Sequence, residues 1–246
     1  MAAPVVLITG AAHRLGAHTA ETLHGRGWNV VIHYRSRQEQ ARQLIDKLNR
    51  ERADSATSVQ ADLTNPEDLA RLAKTACEHW QRLNGLVNNA SVFYPNPTEI
   101  ATEDDWQGIM GANLKAPFFL LQHCLPALKK SSGAVVNLID IYSEKPLKDH
   151  PLYCASKAGL AALTRSWAKD LAPDVRVNGV SPGAILWPEG EAEIDADYQK
   201  AILDKTPLAR TGNPSDIAGA ITWLICDAPF VTGQIISVDG GRSLNM

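Results

Sequence analysis

Short apolar runs rich in β-branched residues alternate with longer helical patterns almost from end to end of this 246-residue chain. Val5–Ile8, Asn29–Tyr34, Ala56–Gln60, Gly85–Val87, Ala134–Ile139, Val175–Val180 and Gln234–Val238 read as strands. Most are continuously apolar, as expected of strands covered on both faces. Helical spacing fills the intervals: Leu15–Arg26, Gln38–Glu51, Pro66–Arg82, Glu103–Lys130, Tyr153–Leu171 and Pro214–Cys226. Asn65-Pro66 and Asn213-Pro214 place a capping residue before a proline at the first helical position. This alternation predicts an α/β fold, a doubly wound parallel sheet of seven strands flanked by helices. No linker, charge block or repeat divides residues 1–246, so a single domain is expected. Its least regular stretch, 181–211, is rich in Pro, Gly and acidic residues, with a short helix around Asp195–Asp204. A loop that long in a compact domain reads as a lid or substrate-binding segment.

Composition narrows the partners. Twenty-four Lys+Arg stand against 27 Asp+Glu, a formal charge of −3 that gives no electrostatic footprint for nucleic acid or an anionic membrane surface. Any phosphate must therefore be held by local residues. Cys77, Cys124, Cys154 and Cys226 are far apart, with no CxxC pair and no histidine cluster at metal spacing. They read as thiols of a reducing compartment, with no metal site. Neither a signal-peptide pattern nor ~20 consecutive apolar residues occurs, so a cytoplasmic location is expected.

The first strand runs straight into Thr9-Gly10-Ala11-Ala12-His13-Arg14-Leu15-Gly16 and then a helix. Glycines here permit a tight turn and a close approach of backbone N–H groups to a pyrophosphate at the helix N-terminus. The second strand ends His33-Tyr34-Arg35-Ser36-Arg37, without the acidic residue that commonly holds a ribose 2′-hydroxyl. Arginine and serine there suit a 2′-phosphate, which points to NADPH/NADP. The plainer reading of these residues is a solvated basic start to the second helix.

Two further signals carry chemistry. Tyr153 and Lys157 stand at i and i+4 on one helical face, where an ammonium lowers a phenol's pKa and makes the tyrosine a proton donor. Asn88-Asn89-Ala90 follows the fourth strand directly.

With these motifs in this order, the chain resembles the short-chain dehydrogenase/reductase family over essentially its whole length. Asp62-Leu63, Asn113, Ser181-Pro182-Gly183 and Asp239-Gly240-Gly241 complete the pattern. The resemblance implies a Rossmann-type sheet and a homotetramer joined through the long fourth and fifth helices. It implies cofactor contacts from Gly10, Arg14, Leu15, Gly16, His33, Tyr34, Arg35 and Ser36. Further cofactor contacts come from Asp62 and Leu63 near the adenine, and from Asn89, Ala90, Ser91, Tyr153, Lys157, Pro182 and Gly183. Asn113 would bind a water in a proton relay to Lys157, which also holds the nicotinamide ribose.

Two departures from the general family pattern stand out. Arg14 occupies a position usually held by glycine, and Asp140 stands thirteen residues before the tyrosine, where serine is usual. An aspartate donates no hydrogen bond unless protonated, so it suits a ketone oxygen poorly. Both departures resemble the pteridine reductase branch, as do His33-Tyr34-Arg35-Ser36 and Asn88-Asn89-Ala90-Ser91 followed by Phe93. That branch implies that Arg14 reaches pyrophosphate and pterin, that Phe93 stacks the pterin against the nicotinamide, and that Ser91 contacts cofactor and substrate. Asp140 and Tyr153 would deliver the proton. Plainer readings make Phe93 a core aromatic and pair Asp140 with Lys145 or Lys148; Trp187 could close over the pterin or only anchor its loop. The expectation is NADPH-dependent reduction of a dihydropteridine or dihydrofolate to the tetrahydro form. The alternatives are a dihydromonapterin, carbonyl or quinone reductase of the same fold, and a non-catalytic NADPH-binding regulator.

Overall fold

In the computed structural model, which describes residues 2–187 and 195–246, β1 (Val5–Ile8) is a central strand with all four side chains fully buried. Alternate residues of a strand face opposite ways. Val5 and Leu7 accordingly join one apolar cluster, and Val6 and Ile8 another on the opposite face of the sheet. Seven parallel strands follow the order β3-β2-β1-β4-β5-β6-β7, with β2 Asn29–Tyr34, β3 Ala56–Gln60, β4 Gly85–Asn88, β5 Ala134–Leu138, β6 Arg176–Pro182 and β7 Ile235–Val238. The first cluster packs under α3 (Pro66–Glu78), α5 (Ala116–Lys130) and α6 (Pro151–Asp170). The second packs under α1 (Arg14–Gly25), α2 (Gln38–Glu51) and α8 (Pro214–Cys226). The expected doubly wound sheet is what forms.

The strand order reverses between β1 and β4, and such a switch opens a crevice at the carboxyl ends of the strands. The turn after β1 and the segments after β4, β5 and β6 converge there.

Most boundaries fall within two residues of expectation, and three differences have a clear physical cause. Asn65 accepts from the N–H groups of Glu67 and Asp68 and starts α3 as expected, but the helix stops at Glu78, before a left-handed Gln81. The long helix over 103–130 is broken into α4 (Glu103–Met110), a π-turn at Gly111–Lys115, and α5. The start of β6 moves from Val175 to Arg176, because the Val175 N–H bonds back to the Leu171 carbonyl at 3.0 Å; the Arg176 guanidinium reaches the carbonyls of Leu224 and Ile225 near the C-terminal end of α8. Within the irregular stretch, α7 (Ala196–Asp204) forms with Asp195 as its cap; residues 188–194 lie outside those described. No helix among the described residues is long and apolar enough to cross a membrane.

Candidate active site

The turn after β1 is built for close approach. A Cβ on Gly16 would stand 2.5 Å from the Gly10 carbonyl oxygen and 2.7 Å from Asn89 Nδ2, and Gly10 itself has φ +62°. Asn89 pins the turn from β4: its side-chain amide donates to the carbonyls of Thr9 and Gly10, while its backbone N–H and that of Ala90 donate to Thr9 Oγ1. Over this turn lies a cleft of about 380 Å³, lined by Gly10, Arg14, Leu15, Gly16, Asn89, Ala90 and Ser91, and by Tyr34, Arg35, Ser36, Asp62 and Leu63 from the ends of β2 and β3. A glycine cradle at a helix N-terminus, with arginine and serine at the far rim, fits a phosphorylated dinucleotide.

His33 has a different place from the one expected. Its ring edges the cleft but is 2% exposed, with Nδ1 accepting from the Gly10 N–H at 3.0 Å and Nε2 donating to the Ala61 carbonyl at 3.1 Å. Both nitrogens are spent, and burial pushes the imidazole below its usual pKa. His33 shapes the turn as a neutral ring and has no charge or donor left for a phosphate. Asp62 is held ionised by two bonds from Thr64.

Arg14 adopts φ +54°, a left-handed conformation that glycine takes freely and arginine does not. Its Nη2 reaches across to the carbonyls of Leu186 and Trp187 at 3.3 and 3.0 Å, tying the phosphate turn to the start of the loop after β6. Gly183, whose N–H donates to Val238, fits where a Cβ would strike Asp239.

A second pocket, about 190 Å³, shares Arg14, Leu15, Asn89 and Ser91 with the cleft and adds Asp140, Tyr153, Lys157, Pro182 and Gly183. Here Tyr153 Oη donates to Asp140 Oδ2 at 2.7 Å, while Asp140 Oδ1 accepts from the Tyr142 N–H at 2.9 Å. Burial raises the Asp140 carboxyl, partly opposed by these bonds and by the charges of Lys157 and Arg242. Burial and the adjacent carboxylate together push the Tyr153 phenol well above its usual value. The downward pull expected from Lys157 does not set the balance: its Nζ is 5.7 Å from the phenol ring centroid and is bonded to the Leu138 carbonyl at 2.8 Å. Burial lowers Lys157 itself to about 8. Tyr153 therefore keeps its proton at neutral pH, as a donor must.

Asn113 lies in the π-turn, a distortion frequent at functional sites. Its amide oxygen accepts from the Val92 N–H and Ser91 Oγ, and its nitrogen donates to the Val92 carbonyl and Ser156 Oγ. Those four bonds fill the amide's capacity. The side chain clamps the Ser91–Val92 segment beside the pocket, and a relay water has no place on it. Phe93 is 39% exposed, edge-on to Tyr153 and stacked on His150 at 4.7 Å and 16° between planes. Trp187 lends its carbonyl to Arg14.

Other site residues escaped the sequence reading. His150 gave no signal beyond its position before Pro151. Asn137 links Asn88 to Thr164 inside the protein at 2.8 and 2.9 Å, yet from its sequence it is only a polar residue in an apolar strand.

A family profile described as enoyl-(acyl carrier protein) reductase matches residues 10–243. The chain is 34% identical to pteridine reductase 1 of Leishmania tarentolae, covering 98% of this chain and 97% of that one. It is 32% identical to the 3-oxoacyl-(acyl-carrier-protein) reductase FabG of Staphylococcus aureus, with 96% of each covered. Identity to 3beta-hydroxysteroid dehydrogenase 1 of Eggerthella lenta is 33%, over 97% of this chain and 93% of that protein. With the turn, the Tyr153–Lys157 pair and the strand order in place, these likenesses show that the chain is an NAD(P)-dependent oxidoreductase of the short-chain dehydrogenase/reductase family.

Proposed function

We propose that the protein is an NADPH-dependent pteridine reductase, converting a dihydropteridine or dihydrofolate to the tetrahydro form. The observation that carries this reading is the 2.7 Å hydrogen bond between Tyr153 and Asp140 in a pocket shared with Arg14. A ketone oxygen calls for a fixed donor beside the tyrosine, and Asp140 can donate only while it holds a proton. Reduction of a C=N bond needs a hydride on carbon and a proton on nitrogen, and a carboxyl hydrogen-bonded to a phenol is a proton source for the nitrogen.

The nicotinamide, when bound, supplies the hydride. The chain's own residues do the rest. Tyr153 presents its hydroxyl to the substrate nitrogen, and Asp140 in its protonated form restores that hydrogen as it leaves. The buried Lys157 ammonium offsets the negative charge that gathers on the phenol oxygen. Phe93 gives a flat heterocycle a ring to stack on, and Arg14 sets a fixed positive charge at the junction of cleft and pocket. Arg35 and Ser36 hold the 2′-phosphate. Cys77, Cys124, Cys154 and Cys226 are all free thiols, which supports a cytoplasmic setting. Phe118 and Phe119 on α5 are 39% and 38% exposed and support burial of that helix in a homotetramer.

The test is NADPH oxidation by the purified protein with dihydrobiopterin, dihydrofolate and a panel of ketones. Turnover of the pterin or folate is expected; turnover of ketones alone, or of nothing, overturns the reading. The likeness to the 3-oxoacyl reductase and the hydroxysteroid dehydrogenase makes ketone reduction the second reading. Asp140→Ser separates the two, since a ketone reductase keeps or gains activity with serine there. Arg35→Ala is expected to weaken NADPH about 10–100-fold more than NADH, as loss of a charge-assisted phosphate contact does; equal losses would remove Arg35 from the 2′-phosphate site.

A further inference from the structure

Arg242 stands in the short 3₁₀ turn Arg242–Leu244 near the end of the chain and is only 8% exposed. No carboxylate is paired with it among the described residues. Its Nη2 donates to Tyr142 Oη at 3.0 Å, its guanidinium lies 5.6 Å from the centroid of the Tyr142 ring, and its Nε is buried without a hydrogen bond. Burying a guanidinium without a counter-ion is costly, so its place calls for a benefit elsewhere. The C-terminal turn does not depend on it. Asp239 accepts from the N–H groups of Gly241 and Ser243, the Gly240 carbonyl accepts from Leu208, and Asn245 donates to the Lys205 carbonyl.

Tyr142 is the link. Its hydroxyl is held by Arg242, and its backbone N–H is the group that fixes Asp140 Oδ1 at 2.9 Å. Asp140 in turn caps the turn Ile141–Ser143 that carries Tyr142. We infer that Arg242 is a positioning residue for the Asp140–Tyr153 pair: it anchors Tyr142, whose backbone N–H fixes the Asp140 carboxylate. This rests on the reading of that pair as the proton source. Asp140 is faced by Tyr142 from its own turn, by Tyr153, Cys154 and Lys157 from α6, and by Arg242 from the C-terminal turn; Tyr198 of α7 faces Tyr142. Lys157 and Arg242 are the two cations that favour the charged carboxylate.

If protonated Asp140 feeds Tyr153, the rate falls as pH rises through the Asp140 titration. Removing a nearby cation makes the carboxyl easier to protonate and moves that falling limb upward. The experiment compares kcat against pH for the wild-type protein, Arg242→Gln and Arg242→Lys, with dihydrobiopterin and NADPH. The expected result is a limb displaced upward by up to about one pH unit in Arg242→Gln, from loss of one of the two cations that favour the carboxylate, and restored in Arg242→Lys. A second readout uses the cofactor-free protein. The melting-temperature gap between wild type and Arg242→Gln should widen as pH rises through the Asp140 titration, since only the ionised carboxylate feels the lost charge. A role confined to packing lowers kcat and melting temperature by the same proportion at every pH, and that result overturns the inference. If Arg242→Gln does not fold, Tyr142→Phe decides: it cuts the tether and should shift the limb in the same direction, and an unmoved limb overturns the inference. Failure of the wild type to reduce any pterin would sink the proposed reaction instead, while the pH-dependent stability gap still reads the link between Arg242 and Asp140.

Discussion

Tyr153 and Asp140 share one hydrogen bond of 2.7 Å, and it acts on the two groups in opposite directions. The carboxylate stabilises the protonated phenol, and the phenol's donated bond partly offsets the burial that raises the carboxyl. Asp140→Asn keeps the shape and removes the acid. We expect kcat to fall about 10²-fold, within the usual worth of a general acid, with NADPH affinity unchanged. The falling alkaline limb assigned to Asp140 should vanish from the pH profile. A surviving limb would assign the titration to another group.

Lys157 is fully buried, and its pKa is lowered to about 8. An amine whose folded pKa lies below its unfolded value binds fewer protons when folded. Its penalty is complete below pH 8 and is relieved as pH rises toward 10.5. The shift corresponds to about 3 kcal/mol, against about 1.5–3 kcal/mol for an ammonium's bond to the Leu138 carbonyl. Lys157→Met should therefore leave unchanged or raise the melting temperature of the cofactor-free protein at pH 7 while abolishing turnover. A lower melting temperature at that pH would contradict this balance.

Arg14→Gly relieves a left-handed arginine, worth about 1 kcal/mol in backbone strain, and removes the tie to Leu186 and Trp187. The expected outcome is equal or greater thermal stability, faster amide exchange at residues 184–187, and an increased KM for the pterin. Unchanged exchange in that segment would show that the tie does not order it.

Gly16→Ala drives a methyl group against the Gly10 carbonyl, Ala11 and Asn89 at 2.5–2.7 Å, and two of these contacts are backbone. Such overpacking costs about 1–3 kcal/mol. Calorimetry should show that loss of stability, and fluorescence titration should show NADPH binding weakened at least tenfold, because the turn itself must move.

Most of the sheet was legible because its strands are covered on both faces and so carry unbroken apolar runs; β1 and β2 begin and end where those runs do. Arg176 lies inside the expected strand Val175–Val180, but no local pattern shows that its guanidinium closes a helix end far away in sequence. Tyr153, Lys157 and the glycine turn announce themselves by spacing, and Asp140 by its distance from the tyrosine. His33 and Arg242 were not legible in the same way. A basic residue is ordinarily a surface residue, and only the fold reveals that one imidazole supports a glycine turn and one guanidinium sits beneath a tyrosine. Asn113 stands out by its place in the motif order, but the exhaustion of its amide is a property of four bonds to three residues in two separate segments, Ser91–Val92 and Ser156.

The π-turn at Gly111–Lys115 also separates two helices that would otherwise be a single rod. Ile109 of α4 packs with Tyr153 and Cys154 beside the pocket, while Leu120, Leu121, Cys124 and Leu128 of α5 enter the main core. One rod with a single apolar stripe cannot serve both directions. The wide turn acts as a phase joint, rotating one stripe out of line with the next. Residue number in this segment thus carries information that residue type does not: deleting Ala112 would bring the two stripes back into line and force a choice between filling the core and shaping the pocket.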